Sequence, residues 1–106
     1  MSDDKITVLR MLAEAEPGDA ATWFLLGREL AALGRAEEAI EAFRGAIAAQ
    51  PDYAAAFRQL GNALEAAGRT DEAVATYREG VVVAERTHDL QAGKEMNAFL
   101  KRIARG

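Results

Sequence analysis

The sequence predicts an all-α solenoid of about six antiparallel helices. Three observations predict it: an internal repeat of 34 residues, apolar side chains at helical spacing within each copy, and glycine or proline where helices should stop. A period of this length marks stacked supersecondary units, none of which buries its apolar face alone.

Sliding the chain by 34 residues lays segment 20–53 on 54–87. Ala20, Leu26, Gly27, Leu30, Gly34, Arg35, Glu38, Ala39 and Arg44 meet Ala54, Leu60, Gly61, Leu64, Gly68, Arg69, Glu72, Ala73 and Arg78. Trp23 meets Phe57, Ile40 meets Val74, and Phe43 meets Tyr77. Trp23, Leu26, Gly27 and Leu30 stand at i, i+3, i+4 and i+7, one face of a helix. Gly34 follows it and can take the left-handed conformation that ends a helix. A second helix, from about Ala36 to Ala49, carries Ala39, Ile40, Phe43, Ala46 and Ile47 on one side and is stopped by Pro51. Asp52 is the expected cap of the next helix, Gly68 closes that helix, and Thr70 is the expected cap of the one after. Glycine inside a helix costs about 1 kcal/mol relative to alanine. Gly27 and Gly61 therefore predict a close backbone approach, with Ala39 and Ala73 as the small facing surface.

The pattern Trp-x2-Leu-Gly-x2-Leu, followed by Gly34, Ala39, Phe43, Ala46 and Pro51, resembles a tetratricopeptide repeat of the small bacterial type, with two full repeats plus flanking helices. The second unit resembles it through Phe57, Leu60, Gly61, Leu64, Gly68, Ala73 and Tyr77, and departs late. Gly80 stands for the usual alanine and Glu85 for the usual proline, so that helix is expected to run longer or end differently. The resemblance implies a right-handed α-α superhelix.

The 106 residues suit one domain, 1–106, divided as an N-terminal half-repeat helix (4–16), two repeats (20–53 and 54–87) and a C-terminal capping helix (89–105). Residues 4–15 carry Ile6, Leu9, Leu12 and Ala13 at helical spacing. Asp89 is the expected cap of the last helix, whose stripe is Ala92, Met96, Phe99, Leu100 and Ile103. Val81, Val82 and Val83 favour a strand by propensity, but the 34-residue register places them in a helix.

Net charge is −4, so no basic field gathers nucleic acid. The chain has no cysteine, which excludes thiolate chemistry and cysteine-based metal sites. No apolar run approaches a membrane span, and the acidic start is unlike a signal peptide. A cytoplasmic protein without cofactor or metal is the expectation. The lone His88 falls at a helix end, where it suits the dipole better than it suits catalysis. Glu37, Glu38, Glu41, Asp71 and Glu72 cluster at starts of second helices, where negative charge is stabilising. No nucleophile–base pairing is evident, and an enzyme is not expected.

In the family resembled, first helices line the concave face. The matching positions here are Ala21, Phe24, Arg28, Ala31 and Ala32, then Ala55, Arg58, Asn62, Glu65 and Ala66. Small residues leave room for a peptide, and Arg58 and Asn62 share a helix face. Arginine can hold a carboxylate in two hydrogen bonds. Phe24 departs from a strict carboxylate clamp, which has a basic residue at that place. The competing account pairs Arg28 or Arg58 with Glu29 or Glu65, or leaves them solvated. The resemblance implies a protein–protein interaction module, an adaptor or scaffold, that holds a peptide or helix of a partner. The alternative is a structural subunit that self-associates through apolar faces of its end helices, Val8 and Met11 or the Met96–Ile103 stripe. A monomer or weak homo-oligomer is expected.

Overall fold

A computed structural model describes residues 2–106. It contains six helices: α1 (Ser2–Ala15), α2 (Ala20–Ala32), α3 (Ala36–Ala49), α4 (Ala54–Ala66), α5 (Thr70–Thr87) and α6 (Leu90–Ala104). There is no strand among the described residues, and Val81–Val83 lie within α5. Each helix packs on its successor, while α2, α4 and α6 also touch in series. The result is a short solenoid measuring 39 × 28 × 18 Å.

Helix ends explain the differences in length. Gly34 and Gly68 take φ values of 75° and 77°. The N–H of Arg35 reaches the Leu30 carbonyl at 3.0 Å, and that of Arg69 reaches Leu64 at 2.8 Å. These six-to-one bonds satisfy carbonyls that would otherwise be orphaned. With Glu85 where the first repeat has Pro51, nothing halts α5 at the repeat boundary, and it runs 18 residues against 14 for α3. It ends at His88, a non-glycine residue at φ 59°, and Asp89 N–H closes on the Ala84 carbonyl at 2.8 Å.

Two expected caps are corrected. Tyr53, not Asp52, is the N-cap of α4, because Tyr53 N–H still bonds the Gln50 carbonyl and so pushes the helix start one residue on. Thr70 is the first residue of α5 and Arg69 its cap. Here the glutamate three residues inside grips the cap residue's guanidinium. Arg69 Nε donates to Glu72 Oε1 at 2.8 Å, and Arg35 Nε to Glu38 Oε1 at 2.7 Å. Asp89 does cap α6, accepting from Ala92 N–H at 3.1 Å.

The in-helix glycines also differ from expectation. What approaches them is an aromatic ring, not a backbone faced by alanine. A Cβ on Gly27 would lie 2.5 Å from Phe43 Cε1, and one on Gly61 would collide with the Tyr77 ring. Phe43 and Tyr77 are both fully buried, with Leu26, Leu30, Ile40, Leu64 and Met96. Trp23 lies against Gly45 in the same manner, and its indole N–H donates to the Pro17 carbonyl at 3.0 Å. In α5, Gly80 opens the space that Met96 of α6 and Phe57 fill. Glycine in place of the alanine of the first repeat thus lets the Met96 side chain of the last helix pack against α5 at this point.

At the ends, α1 buries Ile6 and Ala13 but turns Leu12 outward with Val8 and Met11. Met96 of α6 is buried, whereas Phe99, Leu100 and Ile103 are half-buried. The second helices of successive units are tied by a repeating ion pair. Arg10 meets Glu38 at 3.1 Å, and Arg44 meets Glu72 at 3.4 Å. The arginine hydrogen bonds from Arg35 and Arg69 hold the Glu38 and Glu72 carboxyls below the usual range.

Candidate ligand groove

First helices α2 and α4 lie side by side, and between them runs a groove lined by Ala31, Gly34, Ala36, Gln59, Asn62, Ala63 and Ala66. Its walls are short because alanine and glycine dominate, and its polar groups are two amides. Of the residues singled out from sequence, Ala31, Asn62 and Ala66 line it. Ala21 and Arg28 are exposed on α2, and Ala55 is half-buried on α4. Arg28 makes no salt bridge to any described residue, while Glu29 is taken by Lys5 at 3.3 Å. Arg28 lies near Tyr53, whose hydroxyl is pushed up by burial and held back in part by that positive charge.

Phe24 is part of an aromatic stack, not an open contact. Its ring lies 5.0 Å from that of Tyr53 and edge-on to Phe43 at 5.7 Å. Such arrangements match the quadrupoles of the rings.

The remaining polar positions on α4 face α6, which occupies the place of a third first-helix. Arg58 Nη1 donates to Glu95 Oε1 at 2.6 Å, so its partner is neither Glu65 nor solvent. Glu95, bonded by Gln91 and Arg58, sits below the usual carboxylate range. Glu65 receives Arg102 at 2.9 Å and the Tyr77 hydroxyl at 2.5 Å. Burial pushes the Glu65 carboxyl up, but the Arg102 and Tyr77 hydrogen bonds outweigh it and leave the group below its ordinary value. The Tyr77 hydroxyl also lies 2.7 Å from Asn62 Oδ1, and its single proton serves one acceptor at a time. Sequence reasoning missed Glu95, Arg102 and Gln59. The first two pairs are each 37 residues apart, Arg58 with Glu95 and Glu65 with Arg102. Complementary charge recurring at that spacing was a signal for a parallel docked helix.

Nothing in this arrangement pairs a nucleophile with a base, and no group of His, Cys, Asp or Glu suited to a metal ion occurs among the described residues. No helix among them is long and apolar enough to cross a membrane.

Stacked helix hairpins with a small-residue groove along the first helices define a helical-repeat protein. The chain belongs to the tetratricopeptide repeat family, whose model matches residues 7–54 and 24–87. No curated protein matches it by sequence. Among solved structures, a crystal structure of MamA protein shares 25% identity and superposes with a TM-score of 0.75, covering 84% of this chain and 49% of that one. MamA MSR-1 gives 30% identity, a TM-score of 0.76, and coverage of 81% and 49%. The solution structure of protein BPP2914 from Bordetella parapertussis gives 30% identity and a TM-score of 0.80, covering 94% of this chain and 87% of that one. The chain therefore spans about half the length of the MamA chains. Tetratricopeptide folds are in general protein–protein interaction modules and in general non-enzymatic.

Proposed function

We propose that this chain is a non-catalytic adaptor or scaffold of the cytoplasm that holds an extended segment of a partner protein in the groove between α2 and α4. The observation that carries the reading is the groove itself. Ala31, Gly34, Ala36, Ala63 and Ala66 leave depth for side chains, while Gln59 and Asn62 offer donors and acceptors to a peptide backbone. Arg28 stands one turn from Ala31 on the same helix, without a salt bridge to any described residue, and supplies an anchor for an acidic side chain or terminal carboxylate. Arg58 is withdrawn from that role by Glu95, so the polar anchoring rests on Arg28 and the two amides.

The test is selection of a binder from a displayed library of random peptides, followed by calorimetry. Ala31→Trp fills the groove from an exposed position and should weaken the selected peptide at least tenfold, about 1.4 kcal/mol. Arg28→Ala should weaken it less and reduce its salt dependence. A peptide that binds both variants as it binds the parent would overturn this site.

A further inference from the structure

The two end helices are complementary halves of one hairpin. In the 34-residue register α1 matches the second helices α3 and α5, since Ile6, Arg10 and Ala13 fall on Ile40, Arg44 and Ile47. It has no first helix before it among the described residues. Its exposed residues Val8, Met11 and Leu12, at 55%, 64% and 54%, match Ala42, Gly45 and Ala46 of α3. In α3 that face lies against the preceding first helix, with Ala42 and Ala46 buried and Gly45 under Trp23. Helix α6 has the opposite deficiency. It packs beside α4 and on α5 as a first helix does, and no second helix follows it among the described residues. A groove runs between α5 and α6 where that helix would lie, floored by Val74, Leu100 and Ile103 and edged by Arg78 and Lys101. Val74 occupies the register of Ile40, yet Ile40 is fully buried and Val74 is not.

We propose that α1 of a second copy of this chain fills the α5–α6 groove, so that copies join head to tail and each junction completes a repeat. Charge selects this occupant. Within a hairpin the end of the first helix meets the start of the second. Here that places Lys101 in the basic last turn of α6, next to Arg102 which also holds Glu65, beside the acidic first turn of α1, whose Asp3 also bonds Arg35 at 3.2 Å. Both helix dipoles favour that pairing. The ion pairs agree. Arg10–Glu38 and Arg44–Glu72 repeat at 34 residues. The next arginine in the series is Arg78, and the residue that falls on Glu38 and Glu72 in α1 is Asp4. The junction thus continues the series from Arg78 to Asp4 of the following copy. Such an interface uses two different patches and does not close on itself as a two-fold dimer does. It lies apart from the α2–α4 groove, so Ala31→Trp leaves it intact.

Sedimentation velocity over a concentration series tests the proposal. The parent chain should show a mass that grows with concentration beyond the dimer. Met11→Glu and Arg78→Glu, both at exposed positions, should each remain monomeric with unchanged helical circular dichroism. Mixed in equal amounts, the two variants each retain one sound face. They should form a dimer that grows no further. A parent chain that stays monomeric at millimolar concentration overturns the proposal. So does association that survives either substitution, or a mixture that remains monomeric.

Discussion

The carboxylate of Glu65 on α4 accepts the hydroxyl proton of Tyr77 on α5 at 2.5 Å, behind a ring that fills the space left by Gly61. Burial and the neighbouring carboxylate push the Tyr77 hydroxyl up, so it remains the donor throughout the physiological range. Tyr77→Phe keeps the ring and removes that hydrogen bond. Because Arg102 still satisfies Glu65, the loss should be about 1 kcal/mol, read as a lowered denaturant midpoint at unchanged slope.

Gly61→Ala should destabilise the fold even though alanine favours the helix. Its methyl would enter the Tyr77 ring, which is buried and held at its hydroxyl. Overpacking of this kind costs about 1–3 kcal/mol, more than the propensity gain of about 1 kcal/mol. Thermal unfolding would show the net loss. A variant as stable as the parent would mean that the ring moves freely.

His88→Gly should stabilise the protein. His88 holds at the end of α5 the left-handed backbone conformation that glycine supplies after α2 and α4, at Gly34 and Gly68. That conformation costs a side-chain-bearing residue about 1–2 kcal/mol, offset in part by the greater freedom of glycine when unfolded. The expected gain is about 1 kcal/mol in equilibrium unfolding.

Acid should weaken the stack before it melts the helices. The Glu38, Glu65, Glu72 and Glu95 carboxyls all lie below their ordinary 4.5 in the folded chain. Depressed carboxyls bind protons more readily when unfolded, so their contribution is fully present above 4.5 and is lost as pH falls through the lowered values. Urea midpoints should therefore be level from pH 7 to about pH 5 and fall steeply below pH 4. Glu65→Gln should flatten that fall.

Much of the architecture was legible because the signals were local and repeated. Gly34 and Gly68 mark helix ends in any context that needs a left-handed residue, and the 34-residue register outweighed the strand preference of Val81–Val83. The caps were less legible. Asp52 and Thr70 have the right chemistry, but whether either cap position falls on them depends on one turn residue and on an arginine three residues before a glutamate. The groove was half legible. Ala31, Asn62 and Ala66 line it, whereas Arg58 and Glu65 are bound to α6. Helix α6 lies outside the repeat motif, so its ties to α4 follow a spacing of 37 residues and not the 34-residue register of the repeats.

The arginine-to-glutamate ties between second helices act as a ruler. Arg10–Glu38 and Arg44–Glu72 both span 28 residues, so each unit measures the placement of the next with the same gauge. An extra copy of residues 54–87 spliced in after residue 87 would meet matching contacts in the unit before it. A single residue added to an interhelical turn would break the 28-residue interval of the one tie that spans it and leave the other tie in step.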